Sequence, residues 1–93
     1  NRVASLIYGP KKVVVIAGEN KIVKDLQEAR KRVKQIAAPK NCRRLGKKTG
    51  CMKTGSCTEC RSPERICCTE VTIMYQREKE RIQVILLRGS YGY

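Results

Sequence analysis

The chain is 93 residues long and strongly basic, with 21 Lys and Arg residues against 8 Asp and Glu residues and a formal net charge of +13. Because it contains no His, metal sites with mixed Cys and His ligands are excluded, and a Cys or Ser nucleophile lacks its usual base. No apolar run is long enough to span a membrane. We therefore expect a cytoplasmic protein without a membrane partner, and we interpret residues 1–93 as a fragment of a single domain.

The first predicted elements are a short helix and a strand. Within residues 1–8, Val3, Leu6 and Ile7 have the spacing of one buried helical turn. Residues 12–17 then form a continuous run of mostly β-branched side chains, which is typical of a parallel strand covered on both faces. Gly18 is expected to end that strand.

A long amphipathic helix is predicted next. Asn20 is its expected N-cap, Glu28 and Arg32 form an i, i+4 pair on the polar face, and Pro39 ends the helix, because the residue before a proline is pushed out of the α region. The apolar stripe that packs on the sheet consists of Ile22, Leu26, Ala29, Val33 and Ile36.

Two further strands are predicted at residues 70–76 and 81–87, followed by a surface tail at residues 89–93. The linker between the two strands is too short for a crossover helix, which leaves an antiparallel hairpin or strands in different layers. The expected fold is α/β, with a partial mixed sheet and flanking helices. So few elements cannot cover the first strand on both faces, so we expect the remainder of the domain to lie upstream.

The turn after the first strand is a candidate ligand site. In open parallel sheets, ligands gather at the carboxyl ends of the strands, where helix N-termini bind anions. Gly18 permits close approach of the backbone, Asn20 stands at the predicted helix start, and Lys21 can contact a phosphate or a carboxylate. We predict a small anionic ligand at this turn; the alternative is an ordinary strand-to-helix connection.

Four cysteines with C-x5-C-x2-C-x6-C spacing form the main chemical motif: Cys51, Cys57, Cys60 and Cys67. They lie among Gly, Ser, Thr and Pro residues that cannot form a long helix or strand. Four thiolates suit a 4Fe-4S cluster or a structural zinc ion. The single C-x2-C pair with distant outer cysteines favours the cluster over zinc, whose ribbons usually carry two such pairs. A disulfide set is disfavoured, because disulfides usually connect distant segments of a chain.

Residues 42–68 contain all six cysteines, and we interpret them as a cysteine-rich metal-binding loop. Cys42 and Cys68 are expected to be small buried residues, or a spare ligand and a redox neighbour. Basic residues surround the motif and are expected to lower the pKa values of its thiols. They are Lys40, Arg43, Arg44, Lys47, Lys48, Lys53, Arg61 and Arg65.

The positive charge also raises the possibility of nucleic-acid binding through phosphate contacts. Single-strand binding proteins stack bases on aromatic side chains, however, and this chain has no Trp or Phe and only four Tyr residues. We therefore regard nucleic acid as an unlikely partner, and the metal motif carries the leading hypothesis.

Three segments resemble the C-terminal part of LUD-domain proteins, the lactate-utilisation family, in its short form with a cysteine loop. They are NRVASLIYGPKKVVVIAGENKIVKDLQEA, RVKQIAAPKNCRRL and CMKTGSCTECRSPERIC. The resemblance covers nearly the whole chain. It implies a fold similar to the ribose-5-phosphate isomerase and CoA-transferase group, with more than half of the full domain upstream.

The resemblance also implies a function. In the lactate-utilisation branch, family members act beside iron-sulfur partner proteins in oxidising L-lactate to pyruvate. By position, Cys51, Cys57, Cys60 and Cys67 match the family's cysteine set, and Asn1 and Arg2 match the end of a glycine-rich turn that borders the ligand pocket. Cys42 stands where a small, non-ligand residue is expected. The resulting hypothesis is a metal-binding protein in redox metabolism of a small organic acid, with a structural-zinc module or a basic nucleic-acid-binding protein as alternatives; whether it is an enzyme is left open.

Overall fold

The computed structural model describes residues 2–93. These residues form two compact units, one comprising the chain up to Asn20 together with Glu70–Gly92, and the other comprising Lys21–Thr69 with Tyr93. The elements are α1 (Arg2–Ile7), β1 (Val13–Gly18), a 3-10 turn (Glu19–Lys21), α2 (Leu26–Arg32), a π-helical segment (Val33–Ala37), α3 (Ala38–Arg44), α4 (Gly50–Thr54) and β2 (Ile82–Leu87). The predicted mixture of helices and strands is confirmed.

The sheet of the first unit consists of β1 and β2, which pair in parallel from Val13 opposite Ile82 to Gly18 opposite Leu87. The prediction of an antiparallel hairpin is therefore wrong. The alternating sequence of residues 70–76 does not form a strand, and Met74 there is 92% exposed. A strand requires a neighbour for its backbone hydrogen bonds, and β2 is paired with β1 instead of with this segment.

Only one face of β1 is partly covered. Val13, Val15 and Ala17 are half-buried, whereas Val14 and Ile16 on the opposite face are 50% and 64% exposed. This agrees with the expectation that the elements of residues 1–93 cannot cover the strand on both faces. A two-stranded sheet without a second layer leaves one apolar face open, although parallel sheets are normally covered on both faces.

Arg81 connects α1 to the start of β2. Its side chain is buried and donates to three carbonyl oxygens, those of Ser5 and Leu6 at 3.0 Å and that of Pro10 at 3.0 Å. The last carbonyl groups of a helix have no partner within it, so Arg81 satisfies the C-terminal end of α1. The predicted helix at residues 1–8 is confirmed, but Val3 and Ile7 are exposed rather than buried.

The prediction that Asn20 caps the long helix is wrong. Asn20 lies in the 3-10 turn, and α2 begins at Leu26, with Asp25 as its N-cap. The Asp25 carboxylate accepts the backbone N–H of Glu28 at 2.8 Å, which satisfies one of the free donors of the first turn. Glu28 itself forms an ion pair with Lys31, at 3.8 Å between Nζ and Oε1, one residue before the predicted partner Arg32.

Pro39 does not end the helix, contrary to the prediction. The helical path continues through the π-helical segment into α3, where Pro39 lies in the first turn. The N–H of Ala38 donates to the carbonyl of Val33, five residues back. A proline in the first turn lacks only an N–H that would not be used there, and the wider π-turn accommodates the change of hydrogen-bond register before it.

Replacing Asp25 with Ala is expected to lower the free energy of unfolding by about 1 kcal/mol, because the first turn of α2 loses its side-chain acceptor. Urea unfolding followed by circular dichroism would measure the loss. Asp25→Ser keeps an acceptor oxygen and should restore most of it. An equal loss in the Ala and Ser variants would contradict the capping role.

Candidate metal centre

The cysteine motif begins in a short helix and continues in an irregular segment. Helix α4 ends at Gly55, whose backbone has a left-handed conformation with φ of 81°, and the N–H of Gly55 donates to the carbonyl of Cys51. Residues 55–69 then contain no helix or strand. This agrees with the prediction that the segment cannot form long regular structure, and it means that side-chain contacts must fix its path.

Two cysteines are buried on helices of the second unit that pack against each other. Cys42 on α3 is 1% exposed and Cys51 on α4 is 5% exposed. The hydroxyl of Thr49, which is also buried, lies 3.4 Å from the Cys51 sulfur. Burial is the main cause that raises the pKa of the Cys42 thiol.

The expectation that Cys42 is a small buried residue is confirmed, whereas the same expectation for Cys68 is wrong. Cys68 is exposed and donates its thiol to the carbonyl of Arg65 at 3.2 Å. The adjacent Cys67 is half-buried and close enough to Cys42 to affect its titration electrostatically. Of this adjacent pair, Cys67 is therefore the one near the buried thiols.

Backbone N–H groups affect both cysteines of the C-x2-C pair. The N–H of Glu59 donates to the Cys57 sulfur at 3.3 Å, in a turn where Glu59 has a left-handed conformation with φ of 53°. The N–H groups of Ser62 and, to a lesser extent, of Gly50 hold the pKa of the Cys60 thiol below its usual value. Hydrogen bonds to a thiolate favour the charged form, which is the form that binds metals.

Arg65 holds the second half of the motif in place. Its guanidinium donates to the carbonyls of Cys60 and Cys67, each at 3.1 Å. The neighbouring Cys67 side chain is the main cause that raises the pKa of Arg65. A permanent positive charge therefore lies close to Cys67.

Lys34 connects the C-x2-C pair to the π-helical segment. Its carbonyl accepts the N–H of Cys57 at 2.9 Å, and its ammonium group forms an ion pair with Glu59. The hydrogen bond within this pair raises the pKa of Lys34 and lowers that of Glu59. The pair therefore contributes to stability above the ordinary pKa of Glu and below that of Lys, and because both groups are exposed its contribution is small.

The four predicted ligands lie in one segment of the second unit, but within residues 2–93 no group of three or more Cys, Asp or Glu side chains is arranged to hold a metal ion. The donor chemistry nevertheless fits a thiolate metal centre. All six cysteines are free thiols, the N–H of Glu59 donates to the Cys57 sulfur, and backbone N–H groups lower the pKa of Cys60. The assignment of Cys51, Cys57, Cys60 and Cys67 as ligands stays a prediction.

The predicted anion-binding turn contacts the chain's own C-terminal tail. The Asn20 side chain donates to the carbonyl of Gly92 at 3.0 Å and accepts the N–H of Tyr91 at 3.3 Å, while the Glu19 carboxylate accepts the N–H of Gly89 at 2.8 Å. Gly18 is buried, and a side chain on it would meet the Gly89 carbonyl at 3.0 Å. The backbone of the C-terminal tail therefore lies close to Gly18, at the position where the sequence predicted a ligand.

The other residues predicted to bind the anion are Asn1, Arg2 and Lys21. Asn1 and the side chain of Arg2 lie outside the described residues, and Lys21 is the first residue of the second unit. The role of these residues, together with Gly18 and Asn20, in binding a small anion stays a prediction. The sequence did not predict that the Thr49 hydroxyl lies beside Cys51 or that the Gly50 backbone affects Cys60. A hydroxyl or a backbone N–H near a sulfur produces no recognisable spacing of residues in a sequence.

Cys60 is expected to react with iodoacetamide at neutral pH at least ~10-fold faster than Cys42 in the metal-free protein, because the thiolate is the reactive form. Backbone N–H donors lower the pKa of Cys60, so its thiolate persists to lower pH, whereas burial raises the pKa of Cys42. Peptide mapping by mass spectrometry over time would measure both rates. The difference should disappear in urea; equal rates in the native protein would contradict the prediction.

Comparison with known proteins gave one match. The model of the family described as LUD domain matches residues 1–87. No curated protein and no solved structure matched the chain. Within residues 2–93, no helix combines the length and the apolar character needed to cross a membrane.

Proposed function

This chain belongs to the LUD domain family, and on that premise we propose that it is a cytoplasmic protein whose motif from Cys51 to Cys67 holds an iron-sulfur cluster for redox metabolism of a small organic acid such as lactate. The observation that carries the proposal is the hydrogen bond from the backbone N–H of Glu59 to the Cys57 sulfur, and the lowered pKa of the Cys60 thiol supports it. Such hydrogen bonds stabilise thiolates and tune the reduction potential of clusters that thiolates hold.

The residues that would hold the cluster are Cys51, Cys57, Cys60 and Cys67. When bound, a 4Fe-4S cluster supplies one-electron transfer. The chain's own contribution is to orient the sulfurs and to stabilise the Cys60 thiolate: the N–H of Glu59 donates to Cys57, the backbone N–H groups of Ser62 and Gly50 lower the pKa of Cys60, and Arg65 lies close to Cys67. The positive guanidinium also offsets part of the negative charge that four thiolates bring together.

Oxidation of lactate to pyruvate releases two electrons and two protons, so the proposal requires a partner that accepts electrons. We propose an iron-sulfur redox protein in that role, in keeping with the lactate-utilisation branch of the family. The small organic acid would bind as an anion, and the turn at Gly18, Asn20 and Lys21 is the candidate position. Upstream parts of the same domain would complete the pocket around it.

The test is to purify the protein without oxygen and to measure iron, zinc and acid-labile sulfide per chain, together with the visible spectrum. We expect about four irons and about four sulfides per chain. The iron signal should disappear when oxygen is admitted. A protein that contains neither iron nor sulfide under strictly anaerobic conditions would overturn the iron-sulfur proposal.

A structural zinc ion is the second candidate, and the buried position of Cys51 between α3 and α4 favours it, because structural zinc contributes directly to folding. This candidate predicts a colourless protein with about one zinc per chain and no sulfide. Chelation would then disorder residues 55–69 without any redox signal, and circular dichroism before and after chelation would detect the change.

A further inference from the structure

A cleft lies at the amino-terminal end of the sheet in the first unit. The connection between α1 and β1 and the segment before β2 line it, with side chains that include Tyr8, Lys11, Tyr75, Arg77, Glu78 and Arg81. Its volume is about 490 Å³, which is within the range of clefts that hold small organic ligands. Because β1 and β2 are parallel and β1 ends at Gly18, the cleft is at the opposite end of the sheet from the candidate ligand turn.

Arg81 lines the cleft with a permanent charge that lacks a negative partner. The residue is only 8% exposed, and its side chain donates to three backbone carbonyls. A guanidinium has five N–H donors, so two are left, and no carboxylate of the described chain forms an ion pair with it. Buried charges are normally paired. An anion in the cleft would supply the missing negative charge.

Two further cations at the cleft are available to a ligand. Lys11 and Arg77 are exposed, and their side chains form no hydrogen bond or ion pair with other residues of the described chain. Glu78 is the acidic residue of the lining, so three positive charges face one negative charge. A guanidinium binds phosphate with two hydrogen bonds and an ammonium group binds it as a point charge. The charge balance therefore favours a phosphorylated ligand.

The cleft also presents aromatic rings. The chain has four Tyr residues and no Trp or Phe, and two of the four, Tyr8 and Tyr75, line this cleft. They are 73% and 78% exposed, which leaves their rings free to stack on a planar group, as aromatic side chains stack on nucleic-acid bases. A three-carbon acid would fill only a small part of the cleft and could not cover both rings.

We propose that this cleft binds a mononucleotide. Its phosphate lies at Lys11 and Arg77, close to the buried charge of Arg81, and its base stacks on Tyr8 or Tyr75. The hydrogen bonds of Arg81 to the carbonyls at the end of α1 fix one wall of the cleft before the ligand binds. Nothing in this site depends on the cysteine motif, which belongs to the second unit.

The experiment titrates the whole chain with AMP, inorganic phosphate and adenosine by calorimetry, at about 0.15 M salt to screen exposed charges. We expect about one AMP per chain with a Kd below ~1 mM. Phosphate and adenosine each keep only one kind of contact and should bind at least ~10-fold more weakly. Lys11→Gln and Arg77→Gln should each weaken AMP binding about 10-fold, the low end for hydrogen bonds from charged donors.

A double variant with Tyr8→Leu and Tyr75→Leu tests the stacking contact. It should weaken AMP binding about 5-fold or more and leave phosphate binding unchanged. Lys12→Gln is the matched control for Lys11→Gln, because Lys12 is adjacent and exposed but lies outside the cleft; it should bind AMP like the wild type. Arg81 is left unchanged, since its substitution disturbs the fold.

Three results would overturn the nucleotide site: no AMP binding by the wild type, phosphate binding as tight as AMP binding, or equal losses in Lys11→Gln and Lys12→Gln. The last result would reduce the binding to general attraction by positive charge. Iron and sulfide measured on the same samples test the metal centre separately, so failure of the nucleotide site is distinguishable from failure of the proposed function.

Discussion

Replacing Cys51 with Ser is expected to remove stoichiometric metal from the protein. Cys51 is the most buried of the four motif cysteines, and its helix packs against α3. A serine hydroxyl keeps its proton at neutral pH and cannot replace a thiolate ligand. Metal per chain should fall below about a tenth of the wild-type value. Substitution of residues that only contact the ligands already costs about 10-fold or more in metal affinity, so removal of a ligand should cost more.

The stability of the variant should fall together with its metal content. Within the described chain, the buried hydrophobic core consists of three small residues, Ala38, Cys42 and Cys51. A segment with so little core depends on metal-binding free energy for its order. Elemental analysis and thermal unfolding of anaerobically purified protein would measure both effects.

Cys68→Ser is the matched control for Cys51→Ser. Cys68 belongs to the same segment, but it is exposed and donates its thiol to the backbone carbonyl of Arg65. Metal content should therefore stay at the wild-type level. Full metal content in Cys51→Ser, or an equal loss in the two variants, would show that the motif does not bind metal through Cys51.

The cysteine motif illustrates what sequence spacing can and cannot predict. The composition of the segment correctly predicted its lack of long regular structure. The spacing could not show that Cys42 and Cys51 are both buried, because their burial depends on the packing of α3 against α4, which the left-handed turn at Gly46 connects.

The helix boundaries were predicted wrongly for a similar reason. The apolar stripe from Ile22 onward has helical periodicity, but periodicity does not define the first residue of a helix. Asp25 provides a carboxylate for the N–H of Glu28, whereas the Asn20 side chain is hydrogen-bonded to the C-terminal tail. Pro39 is compatible with a helix because the π-helical segment precedes it, and a local rule about prolines cannot foresee such a change of register.

In the sheet, the sequence predicted the first strand but not its partner. The continuous run at residues 12–17 correctly predicted β1 and its place in a parallel sheet. The strand partner could not be predicted from alternation, because residues 70–76 alternate more regularly than β2 does but form no strand in the described chain. The pairing of β1 with β2 is accompanied by a contact that hydropathy does not reveal, namely the bond from the Val13 N–H to the carbonyl of Arg81 at 2.7 Å.

Replacing Arg81 with Met is expected to destabilise the protein by about 3 kcal/mol or more. A hydrogen bond from a charged donor contributes about 1.5–3 kcal/mol, and a buried acceptor left without a partner costs about 1–3 kcal/mol. Arg81 donates to three carbonyls, and it is only 8% exposed. Methionine can fill much of the same volume, so the loss would report on the hydrogen bonds rather than on a cavity.

Arg81→Lys separates charge from geometry, because lysine keeps the positive charge but cannot place donors on the carbonyls of Ser5, Leu6 and Pro10 at once. We expect it to recover less than half of the loss in urea unfolding. Arg88→Met is the matched control, since Arg88 is exposed, and it should leave stability nearly unchanged. If Arg81→Met and Arg88→Met unfolded at the same urea concentration, Arg81 would not be the residue that holds the end of α1 against the start of β2.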